Sequence, residues 1–138
     1  MLTPEETQMK TLIDDYDAIK AVVQLYIDGS SAGDRSKLKQ AFHPDARMFG
    51  LAGGSRVDLN MDAFFDLSVK APMNTDGSYR ARLISTEQFG DAAVAVLAED
   101  GCWGSVSFVD IFTLSRFADT WKIVGKTFAH TGGKMPGG

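Results

Sequence analysis

The chain has 138 residues, enough for one ordinary domain that buries roughly two thirds of the surface its unfolded chain exposes. Its 44% hydrophobic, 10% aromatic and 23% charged residues match a globular domain and exclude disorder over most of the length. A formal charge of −4 with scattered basic residues leaves no footprint for nucleic acid, and no segment approaches the ~20 apolar residues of a membrane span.

Thr3, Pro4 and Glu6 predict a helix start, with an N-cap, a proline in the first helical position and an acid at the third. From Asp17 onward Ile19, Val22, Val23, Tyr26 and Ile27 recur at i, i+3, i+4 and i+7, which predicts an amphipathic helix ending near Ala32 and Gly33. Asp34 caps a short helix with Leu38, Ala41 and Phe42 on its apolar side, and His43-Pro44 stops it. Ala46 to Leu51 and a segment around Arg56 to Asp58 flank Ala52-Gly53-Gly54-Ser55, the pattern of a hairpin. Asn60 caps a third helix from Met61 to Lys70, with Phe64, Phe65 and Leu67 apolar and Pro72 just beyond.

After a loop the period changes to 2, predicting strands near Tyr79 to Phe89, Ala92 to Glu99, Ser105 to Phe117 and Thr120 to Ala129. The turn signals Gly90-Asp91, Asp100-Gly101 and Ala118-Asp119 make these an antiparallel meander. Helices first and strands afterwards give an α+β fold, with helices segregated onto one face of a bent antiparallel sheet. Residues 1–131 form the single domain, and 132–138, with four glycines and a proline, are expected to be a flexible tail.

The chemistry centres on Asp110. Val106, Phe108, Asp110, Phe112 and Leu114 share one strand face while Val109, Ile111 and Thr113 take the other, so both faces are largely apolar. An acid there must be hydrogen-bonded, paired, protonated or lining a cavity. One reading is a cavity acid of raised pKa acting in proton transfer; the other is a structural acid paired with Arg82 or bonded to Tyr26. Arg80 and Arg82 share a face that could receive a carboxylate or phosphate, or simply be solvated. Met48, Phe49 and Phe64 are apolar lining or core, Trp103 belongs to a pocket rim or dimer surface, and Trp121 anchors the core. Glu99, at a strand end, is expected in water, and His43 at a helix end is expected to meet the last carbonyls.

Cys102 with only His43 and His130 offers no spaced metal-ligand set, and Gly50, Gly53 and Gly54 lack the lysine and βα setting of a phosphate loop, so neither metal nor cofactor is expected. The opening MLTPEETQMK lacks the basic and apolar regions of a signal peptide, so a cytoplasmic location is expected.

Tyr26-Ile27-Asp28-Gly29 with Gly33-Asp34, then Phe42-His43-Pro44-Asp45-Ala46, Phe108-Val109-Asp110-Ile111-Phe112-Thr113-Leu114 and Trp121-Lys122-Ile123-Val124 resemble, in order and spacing, the nuclear-transport-factor-2-like superfamily. That superfamily includes ketosteroid isomerases, scytalone dehydratase and SnoaL-like cyclases, and this chain most resembles its "putative lumazine-binding" and SnoaL-like group. The resemblance implies a cystatin-like cone in which helices close the concave side of the sheet around a cavity, while the convex face forms a homodimer. It spans many chemistries and some members without catalysis.

Tyr26 stands eight residues before Asp34, the spacing at which ketosteroid isomerases place their oxyanion-hole tyrosine, although Tyr26 also reads as a core aromatic whose hydroxyl reaches a polar partner. The isomerase base position holds Gly50, which leaves that reaction without its carboxylate. His130 could reach the mouth of the cone or sit on the surface at a strand end. The first functional expectation is a small-molecule-binding cone that holds a compact apolar or aromatic ligand, using Tyr26, Phe49, Phe64, Arg82, Trp103, Phe108, Asp110 and His130. The second is a cofactor-independent dehydratase, cyclase or isomerase with Asp110 or His130 as general acid or base and Tyr26 as donor. A third is a structural dimerisation module with a closed interior.

Overall fold

The structure, a computed structural model, describes residues 11–136; the helix start expected at Thr3 to Glu6 lies outside the described residues. Helix α1 (Leu12–Ala32) opens on a capping box in which the Thr11 side chain accepts from the Asp14 amide and Asp14 accepts from the Thr11 amide. It closes on Gly33, whose φ of 69° is the left-handed conformation that a residue without a Cβ adopts at low cost. Asp34 caps α2 (Arg35–Ala41), and the chain then enters β1 (Phe42–Ala52). His43 therefore lies in a strand, where its Nδ1 accepts from the Asp45 amide instead of meeting helix carbonyls.

A hairpin leads from β1 to β2 (Ser55–Asn60), and the Asn60 side chain caps α3 (Met61–Lys70) at the Ala63 amide. The meander follows as β3 (Arg80–Phe89), β4 (Ala92–Cys102), β5 (Val106–Phe117) and β6 (Thr120–Gly132). The six strands form one open sheet in the order β2-β1-β6-β5-β4-β3. It is mixed rather than antiparallel throughout, because β1 adds to the meander along β6 in parallel. No hairpin could join these two strands, since the whole meander separates them in sequence.

Register shifts between Phe42 and Arg47, Glu99 and Cys102, and Thr113 and Leu114 bend the strands so that the sheet curls around the helices. Val106, Phe108, Asp110, Phe112 and Leu114 all face this buried side, as alternation predicts. Helix α1 meets them with Ile19, Val22, Val23 and Tyr26. The Tyr26 ring lies edge-on to Phe112 at 4.9 Å and to Phe42 at 6.0 Å and stacks on Phe64 at 6.4 Å, each such pair adding about 0.5–1.5 kcal/mol beyond its area. Asp15 ties the start of α1 to the sheet, accepting from Arg116 of β5 and Gln88 of β3, each at 2.8 Å. Residues 132–136 do not all stand apart as the expected tail: Gly132 ends β6, and Met135 packs against the core.

Candidate functional site

Two polar side chains, Asp110 and Lys126, line an otherwise apolar cavity of about 140 Å³ between the sheet and α3. Its walls are Met48 and Ala52 of β1, Val57 of β2, Leu67 of α3, Met73, Trp103, Phe108, Phe128 and Met135. Trp103 is fixed there at a positive φ, its Nε1 donating to the Ala71 carbonyl at 3.0 Å and its ring edge-on to Phe108.

Behind the cavity wall lies a buried polar cluster. Asp110 and Glu99 are 1% exposed and Lys126 is 4% exposed. Lys126 Nζ donates to Tyr26 Oη at 2.8 Å, Tyr26 makes a long 3.5 Å hydrogen bond to Glu99, and Tyr79 donates to the other Glu99 oxygen at 2.6 Å. Lys126 Nζ stands 3.9 Å from Asp110 Oδ1, an ion pair too long for a hydrogen bond, and the nearest hydrogen-bonding group to Asp110 is the neighbouring carboxyl of Glu99. The rings of Tyr26, Phe64 and Phe128 surround the ammonium at 4.8, 4.9 and 5.6 Å.

Burial first, and then the Asp110 carboxylate beside it, push Glu99 well above the usual carboxylate range, which favours its neutral, protonated form. Burial and the same two acids also raise the Tyr26 phenol. Cys102, at the end of β4, is pushed up to about 12 by burial and then by Glu99 and Asp110, so its thiol stays unreactive. The cluster thus carries one cation and one anion around proton-holding neighbours, an arrangement that can pass a proton to or from a molecule in the cavity.

The residues expected at the site separate into three groups. Asp110, Trp103 and Phe108 line the cavity. Tyr26 and Phe64 are buried one layer behind it, with Tyr26 reaching the cavity only through Lys126. Phe49 and Arg82 lie elsewhere, and His130, paired with Phe108 across β5 and β6 with the two rings 5.7 Å apart, stands beside the cavity without lining it. Met48 and Phe49 are neighbours on a strand and cannot both face inward; Met48 does, and Phe49 is half exposed on the convex side beneath Arg56. Arg82 lies exposed on edge strand β3, so Asp110 pairs with Lys126 instead. Both ring nitrogens of His130 are engaged by backbone: Nδ1 accepts from the Gly53 amide at 3.1 Å and Nε2 meets the Gly132 and Gly133 carbonyls.

Two members of the cluster were not expected. Glu99 is buried, not in water, because β4 continues past it to Cys102 and keeps it on the inward face with Ala93, Ala95 and Leu97. Lys126 faces inward because of the bulge at Val124: Thr113 pairs with Gly125 and Leu114 with Ile123, leaving Val124 unmatched. Simple alternation from Trp121 and Ile123 would have turned Gly125 inward in its place.

Gly50 explains why the isomerase acid is missing. A Cβ there would lie 2.5 Å from the Phe128 carbonyl oxygen and 2.9 Å from its ring, so β1 and β6 approach too closely for any side chain.

Residues 14–129 match the family model described as "Putative lumazine-binding". The chain belongs to this family. Its fold is that of nuclear-transport-factor-2-like proteins. A protein of this kind, of unknown function, from Silicibacter pomeroyi DSS-3 superposes with a TM-score of 0.81 at 24% identity, over 88% of this chain and 100% of the other. A ketosteroid isomerase-like protein from Erwinia carotovora atroseptica SCRI1043 gives 0.66 at 14% identity, over 83% and 94%. Among curated proteins, "Aldolase FrzH" from a Cladobotryum species is 22% identical over 114 residues, spanning 83% of this chain and 90% of its own. Among the described residues no group of three or more His, Cys, Asp or Glu side chains is placed to hold a metal ion, and no helix is long and apolar enough to cross a membrane.

Proposed function

We propose that this family member binds a compact, flat apolar or aromatic small molecule in the cone, held by Asp110 and Lys126. One observation carries the proposal: a buried acid whose cation stands too far off to hydrogen-bond it lies on the wall of an otherwise apolar cavity. Such an acid is costly unless a ligand completes its hydrogen bonds. At about 140 Å³ the space is close to the roughly 150 Å³ apolar cavity that holds benzene, so the ligand is of one- or two-ring size. The description of the family makes lumazine, a flat heteroaromatic with hydrogen-bond donors, the natural first probe. Titration with lumazine should raise the melting temperature saturably, and Asp110→Asn should weaken binding by about tenfold or more. Absence of saturable binding by lumazine and by simple substituted benzenes would defeat the proposal.

A second reading is a cofactor-independent enzyme of the dehydratase, cyclase, isomerase or aldol kind. It is favoured by the hydrogen-bonded Lys126, Tyr26 and Glu99 beside Asp110 and supported by the aldolase-named relative. Asp110 is its general acid or base and Tyr26 positions Lys126, while His130, engaged on both ring nitrogens, has no proposed part. Unchanged turnover in Asp110→Asn would remove Asp110 from the chemistry.

The convex face fits a second copy of the chain, because Phe49, Thr127 and Ile111 form one row across β1, β6 and β5, with Leu51, Ala129 and Val109 in the next. A reducing, cytoplasmic setting completes the proposal and suits the single unpaired Cys102.

A further inference from the structure

We propose that Lys126 captures a carbonyl ligand covalently, its ε-amine condensing with an aldehyde or ketone in the cavity to form an iminium. This rests on the cavity reading above and adds the ligand class and the capturing atom. Among the described residues Lys126 is the only basic side chain lining the cavity, and the rings of Tyr26, Phe64 and Phe128 pack around its ammonium. Its Nζ is oriented by the hydrogen bond to Tyr26, and a proton acceptor, Asp110, lies 3.9 Å away without a hydrogen bond to it. An ammonium kept only to balance a buried acid would be expected to hydrogen-bond that acid directly. Here both residues of the pair line the cavity, the space from which a carbonyl group would reach Nζ.

The atoms balance without any oxidant or metal. Lys126 gives one proton to the Asp110 carboxylate and the freed nitrogen lone pair attacks the carbonyl carbon, forming the C–N bond. The carbonyl π electrons move to oxygen, which takes that proton back from the Asp110 carboxyl to give the N-protonated carbinolamine. The amine proton released on addition returns to Asp110, the hydroxyl leaves as water after accepting it, and the nitrogen pair closes the C=N bond. The sum is an alkylammonium and a carbonyl compound going to a protonated imine and water, with one positive charge on each side. Asp110 is the proton carrier and Tyr26 a positioning residue.

The test uses the full chain and benzaldehyde near neutral pH, with and without sodium cyanoborohydride, which reduces an iminium to a stable benzyl-lysine. Peptide mapping by mass spectrometry should locate the benzyl group on Lys126 about tenfold faster than on the solvent-facing Lys39 or Lys70. Lys126→Met should lose that adduct, and Asp110→Asn should slow labelling about tenfold at matched occupancy. Should the Lys126 variant not fold, the map of the unaltered protein still decides. Ligand-detected NMR without reductant reports occupancy independently. Saturable binding with no preference for Lys126 would overturn covalent capture and leave the cavity reading standing; no saturable binding would overturn both.

Discussion

Lys126 is the only buried basic group among the described residues, and its partner Asp110 has no other cation near it. Removing one half of such a pair strands the other charge, at a cost of about 3–5 kcal/mol, whereas replacing both with apolar groups is close to neutral. Lys126→Met and Asp110→Leu should therefore each destabilise strongly in urea denaturation, while the double variant should lose far less than their sum. Glu99 makes a separate prediction through pH. Its carboxyl is raised in the folded state, so between the ordinary glutamate value of 4.5 and the folded value the native protein binds more protons than the unfolded chain. Stability from this residue is then complete below pH 4.5 and declines as pH rises toward and through the folded value. Unfolding free energies measured from pH 4 upward should fall more steeply for the native protein than for Glu99→Gln, and parallel slopes would show that Glu99 is not so held.

At the scale of the strands, the contact between β1 and β6 is the tightest constraint on the cavity wall. Gly50→Ala would drive a methyl group against the Phe128 carbonyl and ring, forcing the strands apart. A loss of about 1–3 kcal/mol is expected in denaturant titration, typical of overpacking, together with weaker ligand binding because Phe128 lines the cavity. The hairpin, the three described helices and the meander were legible because hydrophobic period, caps and turn residues agree along these segments. Asp110 was legible for the same reason, since its strand alternates without interruption from Val106 to Leu114. Lys126 was not read, because a single unmatched residue at Val124 reverses the alternation, and the one local mark of that bulge is the isolated Gly125 beside it. Glu99 was within reach: extending the alternation of Ala93, Ala95 and Leu97 by one step finds it.

For the whole molecule, the convex face carries the remaining prediction. Phe49 is 46% and Ile111 44% exposed, and they flank Thr127 in adjacent strands, an apolar patch of the kind that marks an association surface. The proposed dimer should sediment as a two-chain species at micromolar concentration, and Ile111→Asp should convert it to one chain without changing the far-ultraviolet circular dichroism. Retention of the two-chain species in that variant would place the interface elsewhere. Inside the same molecule, the irregularity at Val124 means that cavity chemistry is set by strand register as much as by residue identity. Were the bulge ironed out with Val124 retained, glycine would turn to the interior and the amine to the outside, with every residue unchanged. A scaffold built this way can gain or lose a nucleophile by a slip of its thread.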